Sequence, residues 1–348
     1  MAEPRAGGRT RTTLADVAAE AGVSQATVSR ALAGSPLVNR LTRERIWEVA
    51  ERLRFTPNRL ARSLRSGATL AVGLVVPDVA TTFYASALKS AQSALEAAGY
   101  HVLVANTERA AHRERDALRT LAAHQVDGVI VATSGGYEDI GVPAVFFDNV
   151  PAEPGATAVA MDNAGGMELL VEHLVQVHGH RAIAYLGPSE QIGEDAAGFL
   201  HGVGRERMEA FRAAAGAAGM SVPPDYLRAV DGSGFEAAGR AFGADLVALE
   251  SPPTAMIGGA DSLALGLLRG LRDTGRRVPE DVALVSFDQP AAVDLLDPPV
   301  ASLDPHDAEL GRRAAELLLG ALIGGRPLVP GAVRVPLQLR PRRSCGCA

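Results

Sequence analysis

The sequence predicts a small all-α head at the N-terminus and a larger α/β body behind it. Two short amphipathic segments separated by a glycine occupy residues 13–33, which indicates a pair of helices. Positive charge is concentrated in the first 66 residues, whereas the rest of the chain is acidic. After residue 70, short apolar runs alternate with amphipathic stretches almost to the end of the chain. This alternation predicts parallel sheets covered by helices.

The first two helices are defined by their caps and by the spacing of their apolar residues. Thr13 can cap the first helix, in which apolar side chains recur at i, i+3, i+4 and i+7. Gly22 supplies the sharp turn that follows. Ser24 caps the second helix, and Val28 and Leu32 anchor that helix inward.

The second helix leaves Gln25, Ala26, Ser29 and Arg30 facing outward. This arrangement is a helix-turn-helix, in which the second helix presents its N-terminal side chains to base edges in the major groove. A generic pair of antiparallel helices is the alternative, but it leaves the charge of the same stretch unexplained. We therefore expect sequence-specific DNA binding.

The distribution of charge supports that expectation. Residues 1–66 contain 12 Arg and 6 Asp or Glu, a net charge of +6. The whole chain carries 34 basic and 40 acidic residues, so the remainder carries 22 and 34, a net charge of −12. An acidic protein with a basic head is what phosphate binding at one end predicts.

A third helix is predicted from residue 43 to about residue 53, capped by Thr42 and with Ile46 and Val49 on its apolar side. The segment TLADVAAEAGVSQATVSRAL, residues 13–32, is followed by FTPNRLARSLRSG, residues 55–67. Together these segments resemble the LacI/GalR (lactose/galactose repressor) family, and the resemblance continues through almost the whole chain.

The resemblance implies how the head reads DNA. Residues 57–65 would form a hinge helix that orders on operator DNA, with Leu64 wedged into the minor groove; ordinary linker packing is the alternative for Leu64. Arg30 is chemically the best suited to read a base, because its fork can bind a guanine bidentately. Ser24 and Asn39 would cap helices or contact phosphates. The expected DNA-binding residues are Thr13, Ser24, Gln25, Ala26, Thr27, Ser29, Arg30, Asn39, Asn58, Arg59, Arg62, Leu64 and Arg65.

The body is predicted to contain two lobes, since about 280 residues exceed one ordinary core. Apolar runs predict strands at 70–76, 102–105, 128–131, 144–147, 182–186, 255–257 and 282–287. Amphipathic stretches predict helices around Leu88–Ala98 and at 113–123, 169–177, 208–218, 237–249, 263–271 and 310–323. The resemblance implies a periplasmic-binding-protein-like body of two doubly wound parallel-sheet subdomains, with chain crossovers near residues 162, 290 and 325.

These features divide the chain into five parts. We expect a flexible arm at 1–11, the helix-turn-helix domain at 12–56, the hinge helix and linker at 57–67, the effector-binding and dimerisation domain at 68–341, and a tail at 342–348.

Ligands of open α/β sheets bind beyond the carboxyl ends of the strands, where polar and aromatic residues of the body are expected. The resemblance places an effector cleft there, and carboxylates with a guanidinium fork suit a polyol such as a sugar. Asp261 could instead cap a helix, and Asp78 could be a turn residue. Arg205 and Arg207 point to opposite sides of a helix, so one of them should be solvated. The expected effector-binding residues are Asp78, Phe83, Tyr84, Asp148, Arg207, Asp261 and Asp288.

Two features qualify the resemblance at the cleft. Many members of the family carry Asn where this chain has Ala260, so the effector need not match that of a well-known member. The loop at 188–204 looks longer than usual and could form part of a lid.

The sequence predicts no metal, cofactor or catalytic group. His178 and His180 flank a glycine before a strand, which is more typical of a turn than of a metal site. Cys345 and Cys347 could bind a soft metal or oxidise, but four ligands are not evident in the sequence, so we expect a disordered or lightly docked tail. A nucleophile or an acid–base pair of an enzyme is not evident either.

The expected function is that of a one-component transcriptional regulator, a repressor that binds a pseudo-palindromic operator as a homodimer and responds to a sugar-like effector. A dimer rather than a tetramer is expected, because the chain lacks C-terminal leucine heptads. An export signal and an apolar run of about eighteen residues are not seen, so we expect a cytoplasmic bacterial protein bound to chromosomal DNA. A small-molecule binding protein without specific DNA reading is the alternative.

Overall fold

A computed structural model describes residues 12–32, 35–55, 68–133, 135, 137–151, 155–189, 199–230, 234–290 and 293–348. The chain divides into two compact units, Met1–Thr69 and Leu70–Ala348, which are described separately below. The arm predicted at 1–11 and the hinge helix predicted at 57–67 lie outside the described residues.

The described part of the first unit contains three helices. Its own small core contains Val17 from the first helix, Val28 from the second and Ile46 from the third, all of them fully buried. The left-handed backbone of Gly22, with φ of 64°, produces the turn between the first two helices. The predicted helix-turn-helix is therefore present. The helices are α1 (Leu14–Ala21), α2 (Gln25–Leu32) and α3 (Arg40–Arg52).

The prediction that Thr42 caps the third helix is wrong. Helix α3 begins three residues earlier than predicted, because the side chain of Asn39 accepts a hydrogen bond of 2.8 Å from the backbone N–H of Thr42. Asn and Asp are strong capping residues, and here Asn39 stabilises an extra turn that the apolar spacing alone did not reveal.

The second unit is an α/β body. Its strands are β1 (Ala71–Val76), β2 (His101–Asn106), β3 (Gly128–Val131), β4 (Ala144–Phe147), β5 (Val150–Pro151), β6 (Thr157–Met161), β7 (Ile183–Pro188), β8 (Phe199–His201), β9 (Leu227–Val230), β10 (Ala255–Gly258), β11 (Ala283–Ser286), β12 (Ala301–Asp304), β13 (Gly331–Val335) and β14 (Gln338–Arg340). Its helices are α4 (Thr82–Ala97), α5 (Ala111–Ala123), α6 (Asn163–Glu172), α7 (Val203–Ala217), α8 (Phe235–Val247), α9 (Asp261–Asp273) and α10 (Asp307–Leu322).

The strands form one sheet in each lobe. The first-lobe sheet has the order β13-β6-β4-β3-β1-β2, and its strands pair in parallel. The second-lobe sheet has the order β14-β12-β11-β10-β7-β9, and β14 pairs antiparallel to β12. A third sheet consists of β5 and β8 paired antiparallel. The predicted body of two parallel-sheet subdomains is confirmed.

The chain crosses between the lobes at three places, one of which was predicted correctly. Strand β6 belongs to the first sheet and α6 packs in the second lobe, so the first crossover lies at residue 162, as predicted. The crossovers predicted near 290 and 325 are wrong. They lie between β12 and α10 and between β13 and β14, because β12 joins the second sheet whereas α10 packs on first-lobe strands.

The C-terminal tail is docked on the second lobe rather than disordered or lightly docked. The hydroxyl of Ser344 donates to the carbonyl of Leu284 at 2.6 Å and accepts from the N–H of Ala301 at 2.8 Å. Arg342 donates to the carbonyl of Val300 and to the hydroxyl of Ser302. These contacts tie the tail to two neighbouring strands of the sheet. Among the described residues, no helix is both long and apolar enough to cross a membrane.

Candidate functional site

The predicted base-reading face of α2 is open to solvent in the three-helix domain. Gln25, Ala26 and Arg30 are exposed and Ser29 is half-buried, whereas Val28 is fully buried on the opposite side. The buried side chains therefore fix the orientation in which α2 presents its exposed ones. This geometry fits entry of α2 into a major groove.

The residues predicted to cap helices or to contact phosphates lie at helix N-termini. Thr13 and Asp16 form a capping box, and the hydrogen bonds from Thr13 lower the pKa of the Asp16 carboxyl. The hydroxyl of Ser24 accepts from the N–H of Thr27 at 3.1 Å and lies 2.9 Å from its hydroxyl. Asn39 caps α3. Contact of these groups with DNA phosphates stays a prediction.

Five further predicted DNA-binding residues belong to the hinge segment, which the structure does not describe. They are Asn58, Arg59, Arg62, Leu64 and Arg65.

A cavity of about 750 Å³ lies between the two lobes of the body. Six of the seven predicted effector-binding residues line it, and only Asp78 does not. The side chain of Asp78 accepts a hydrogen bond of 3.0 Å from the N–H of Ala80, which agrees with the alternative of a turn residue. The six residues are Phe83, Tyr84, Asp148, Arg207, Asp261 and Asp288.

Arg207 is the most strongly constrained residue of the cavity, with 2% of its surface exposed. Its guanidinium donates bidentately to Asp288 at 3.0 and 3.1 Å, and it also donates to the carbonyl of Gly259 at 2.6 Å. It lies 3.9 Å from the ring centre of Phe287. Burial alone would lower the pKa of Arg207, but the Asp288 carboxylate outweighs it, so the pKa is raised and the group stays charged. The neighbouring Arg205 is half-buried.

The contacts of Arg207 continue into a network that joins the lobes. Its Nε donates to the side chain of Asn163 at 3.0 Å, and the amide of Asn163 donates to Glu206 at 2.6 Å. Glu206, on α7 of the second lobe, pairs with Arg334, on β13 of the first lobe, at 2.7 and 3.0 Å. Arg334 also donates to the carbonyl of Met161 at the first crossover. The network therefore spans the cleft next to the cavity.

Asp148 and Tyr84 form a buried pair on the first-lobe wall. The hydroxyl of Tyr84 donates to Oδ2 of Asp148 at 2.8 Å, while the buried Oδ1 has no hydrogen-bond partner within the described part of the chain. Burial raises the pKa of Asp148, and the nearby Arg207 charge offsets this only in part. The ring of Tyr84 meets Phe83 and Phe147 edge to face. Asp148 is thus a carboxyl group with unused hydrogen-bonding capacity in the cavity wall.

Asp261 is the first residue of α9, and not the cap that precedes the helix. Its carboxylate accepts a hydrogen bond of 2.6 Å from the N–H of Ser262. Burial, followed by the repulsion of Asp288, raises its pKa. The preceding Ala260 offers the helix no side-chain cap.

Sequence reasoning missed several polar and aromatic residues of the cavity. Five of them lie at or just beyond the carboxyl ends of β2, β4, β11 or β12, where ligand-binding residues were expected, but β12 was not predicted from the sequence. In total the lining includes six carboxyl groups and two guanidinium groups. The missed charged, amide and aromatic residues are Arg109, Asn149, Phe235, Gln289, Asp294, Asp304 and Asp307.

The histidines and cysteines that the sequence did not connect lie together in the second lobe. His173, His178, Cys345 and Cys347 bring their side-chain nitrogen and sulfur atoms within 4.8 Å of one another. His180 is different, because its Nδ1 lies 3.0 Å from the hydroxyl of Thr254. The spacing of His178 and His180 in the sequence did not indicate this four-residue cluster.

Known proteins match both units of the chain. The protein-family model described as bacterial regulatory proteins of the lacI family matches residues 13–58. The family model of the periplasmic binding protein-like domain matches residues 171–345. The chain is similar to the HTH-type transcriptional repressor PurR of Vibrio cholerae serotype O1 (strain M66-2), with 28% identity over 316 residues, 88% of this chain and 90% of the repressor.

Solved structures agree with this match. The Lac repressor dimer bound to operator and the anti-inducer ONPF has a TM-score of 0.82 and 25% identity, over 97% of this chain and 99% of that one. The transcriptional regulator CelR in complex with cellobiose has a TM-score of 0.69 and 30% identity, over 96% of this chain and 100% of that one. The protein belongs to the LacI/GalR family of transcriptional regulators. It is a DNA-binding regulator with an effector domain, and its relatives are transcriptional repressors rather than enzymes.

Proposed function

We propose that the protein is a repressor that binds a pseudo-palindromic operator as a homodimer and responds to a sugar or sugar derivative in the inter-lobe cavity. The observation that carries the proposal is the joint presence of an exposed reading face on α2 and a polar cavity of about 750 Å³ in the body. A dimer with two heads matches two half-sites related by two-fold symmetry. The similarity to the Lac repressor dimer supports that arrangement.

The chemistry of the cavity favours a neutral or cationic polyol over an anion. Among the described residues that line it, six carboxyl groups outnumber two guanidinium groups, and Arg207 is already paired with Asp288. Sugar hydroxyls can donate to such carboxylates, whereas a phosphate or carboxylate ligand would meet repulsion. The rings of Phe83 and Phe235 supply apolar surface for the faces of a sugar ring. The CelR complex with cellobiose is a relative with a sugar ligand.

Control of DNA binding is proposed to act through the arrangement of the lobes. The ion pair between Glu206 and Arg334 and the crossover at Met161 connect the lobes beside the cavity. An effector shifts the lobe arrangement only if it binds one arrangement more tightly than the other. A coupling of about 1–3 kcal/mol corresponds to changes of about 5- to 150-fold in operator affinity.

The proposal is tested by selecting genomic fragments with the purified full-length protein and sequencing them with and without a panel of sugars. We expect enrichment of one palindromic sequence and a change of that enrichment with one sugar. Arg30→Ala should reduce the discrimination between operator and random DNA by about 1–3 kcal/mol. Arg52→Ala is the matched control, because it removes the same charge from the head. Arg52 lies on α3 in an ion pair with Glu20 and not on the reading face of α2. Unselective binding by the wild-type protein would contradict the proposal.

A further inference from the structure

Four potential metal ligands meet where the C-terminal tail packs against the end of α6. Nε2 of His173 lies 3.3 Å from Nε2 of His178, 3.3 Å from Sγ of Cys345 and 3.6 Å from Sγ of Cys347. Sγ of Cys347 also lies 3.4 Å from Nε2 of His178. All four side chains thus direct their ligand atoms towards one small volume.

These separations fit a tetrahedral ion. Bonds of about 2.3 Å to sulfur and about 2.0–2.1 Å to nitrogen place the ligand atoms of a regular tetrahedron about 3.3 Å (N–N) and about 3.6 Å (S–N) apart. The observed N–N distance of 3.3 Å and S–N distances of 3.3, 3.4 and 3.6 Å lie close to those edges. Hydrogen bonds alone explain single contacts of this length, but they give no reason for four ligand atoms to converge on one point.

The backbone is unusual both at the two histidines and at the two cysteines, and in each place it lets the side chains approach one another. Residues five apart point about 140° away from each other around an α-helix. His173 and His178 nevertheless face each other, because residues His173–Val177 form a π-helical turn that continues α6. Such turns are rare and are frequently found at functional sites.

The Cys-Gly-Cys segment is shaped to present both thiols to the same side. Gly346 has a φ of 99°, a conformation that side chains disfavour. A Cβ atom at this position would also lie 3.2 Å from Nδ1 of His178. A glycine between Cys345 and Cys347 therefore lets the chain turn and lets the imidazole approach.

The fold holds the tail in place independently of any ion. The backbone beside the cluster is fixed by Ser344, whose hydroxyl bonds to two strands, and Cys345 is 1% exposed. Arg342 reaches from the same tail to Gln289 at 3.2 Å and to Asp294 at 3.2 Å, both of which line the cavity. The cluster therefore sits on a segment that also supports one wall of the cavity.

We propose that His173, His178, Cys345 and Cys347 form a structural site for a zinc ion that fastens the C-terminal tail to α6. Two thiolates and two imidazoles in a tetrahedral arrangement are a donor set that suits Zn²⁺. With four protein ligands the coordination sphere is closed, so the ion has a structural role and not a catalytic one. The site also stabilises the tail whose Arg342 supports the cavity wall.

The test measures metal content in the full-length protein, purified under reducing conditions without chelators or a histidine tag. We expect one zinc ion per chain by elemental analysis. A protein stripped of metal should take up Co²⁺ with the visible absorption of a tetrahedral thiolate complex, and Zn²⁺ should displace it. Cys347→Ser and His173→Ala should each lose both signals, while operator binding reports that these variants are folded.

His180→Ala is the matched control, because His180 is a neighbouring histidine that contacts Thr254 instead of the cluster. It should keep one zinc ion per chain. The proposal is overturned if the wild-type protein neither contains nor takes up zinc, or if zinc persists in both ligand variants. A Cys345–Cys347 disulfide in place of metal under reducing conditions would also overturn it.

Discussion

Replacing Arg207 by methionine tests whether the buried network organises the body. The change removes a charged side chain that is 3% exposed and leaves its partner Asp288, whose side chain is 20% exposed, without a counter-charge. It also leaves the carbonyl of Gly259 and the side-chain oxygen of Asn163 without their donor. Methionine fills a similar volume, so the loss of stability reports the lost polar contacts and not the creation of a cavity.

The expected cost follows from the burial of the pair. Breaking a buried ion pair by removing one partner costs about 3–5 kcal/mol, because the other charge stays behind without compensation. Partial exposure of Asp288 lets water solvate it in part, so we expect a loss of about 3 kcal/mol. For a body of this size the melting temperature should fall by about 6–12 °C.

Calorimetry of the full-length protein measures this loss. Arg240→Met is the matched control: Arg240 pairs with Asp273, but its side chain is 58% exposed, so its loss should cost less than about 1 kcal/mol. Adding Asp288→Asn to Arg207→Met should recover part of the stability, because the orphaned charge is removed. If Arg207→Met is no more damaging than Arg240→Met, the reasoning about the network is refuted.

Three further predictions concern the reading face, the cavity wall and the lobe connection. Arg30→Ala should weaken operator binding by about 1–3 kcal/mol while leaving binding to random DNA nearly unchanged, as anisotropy titrations would show; equal losses on both would make Arg30 a phosphate contact. Asp148→Asn should stabilise the protein at pH 7, because burial raises the pKa of Asp148 and ionisation therefore costs stability above that pKa. The gain should shrink as the pH falls through the raised pKa, and calorimetry that finds a growing gain would contradict this sign. Glu206→Gln should change the effector dependence of operator affinity without abolishing operator binding, because Glu206 links the lobes through Arg334; an unaltered dependence would exclude this link.

The head was the part most readily predicted from sequence. Helix-turn-helix spacing, a turn glycine and capping residues are local signals, so Thr13, Gly22 and Ser24 take the predicted roles. The error at Thr42 arose because the competing cap, Asn39, lies outside the apolar pattern that defined the helix. Capping residues decide helix ends more sharply than apolar spacing does.

In the body, most apolar strands were predicted, except for the buried strand β6, whereas strands with charged residues near the sheet edges were not. Strands β3 and β4 were predicted with their observed limits, since their four residues are apolar and central in the sheet. Strands β12 and β13 contain Asp or Arg and lie near the sheet edges, so they gave little signal. The second and third crossovers, which were expected from the family resemblance, lie elsewhere because they follow β12 and β13.

Contacts between side chains that lie far apart in the sequence were also not predicted, both in the cavity and in the metal cluster. Arg207 was predicted to donate to an effector, but its donors are engaged by Asp288, Gly259 and Asn163, which only tertiary structure brings together. His173 and Cys345 lie 172 residues apart in the chain. A search for ligands at short spacing does not connect such residues.

The measurement that tests the account most directly is the affinity of the full-length protein for its selected operator, with and without the sugar that alters fragment enrichment. Anisotropy titrations should show a change of about 5- to 150-fold in operator affinity. The same sugar should leave operator affinity unchanged when Asp261→Leu removes one carboxylate from the cavity, while operator binding itself persists. A full response in that variant, or constant operator affinity across the whole panel for the wild-type protein, would contradict control by a sugar in this cavity.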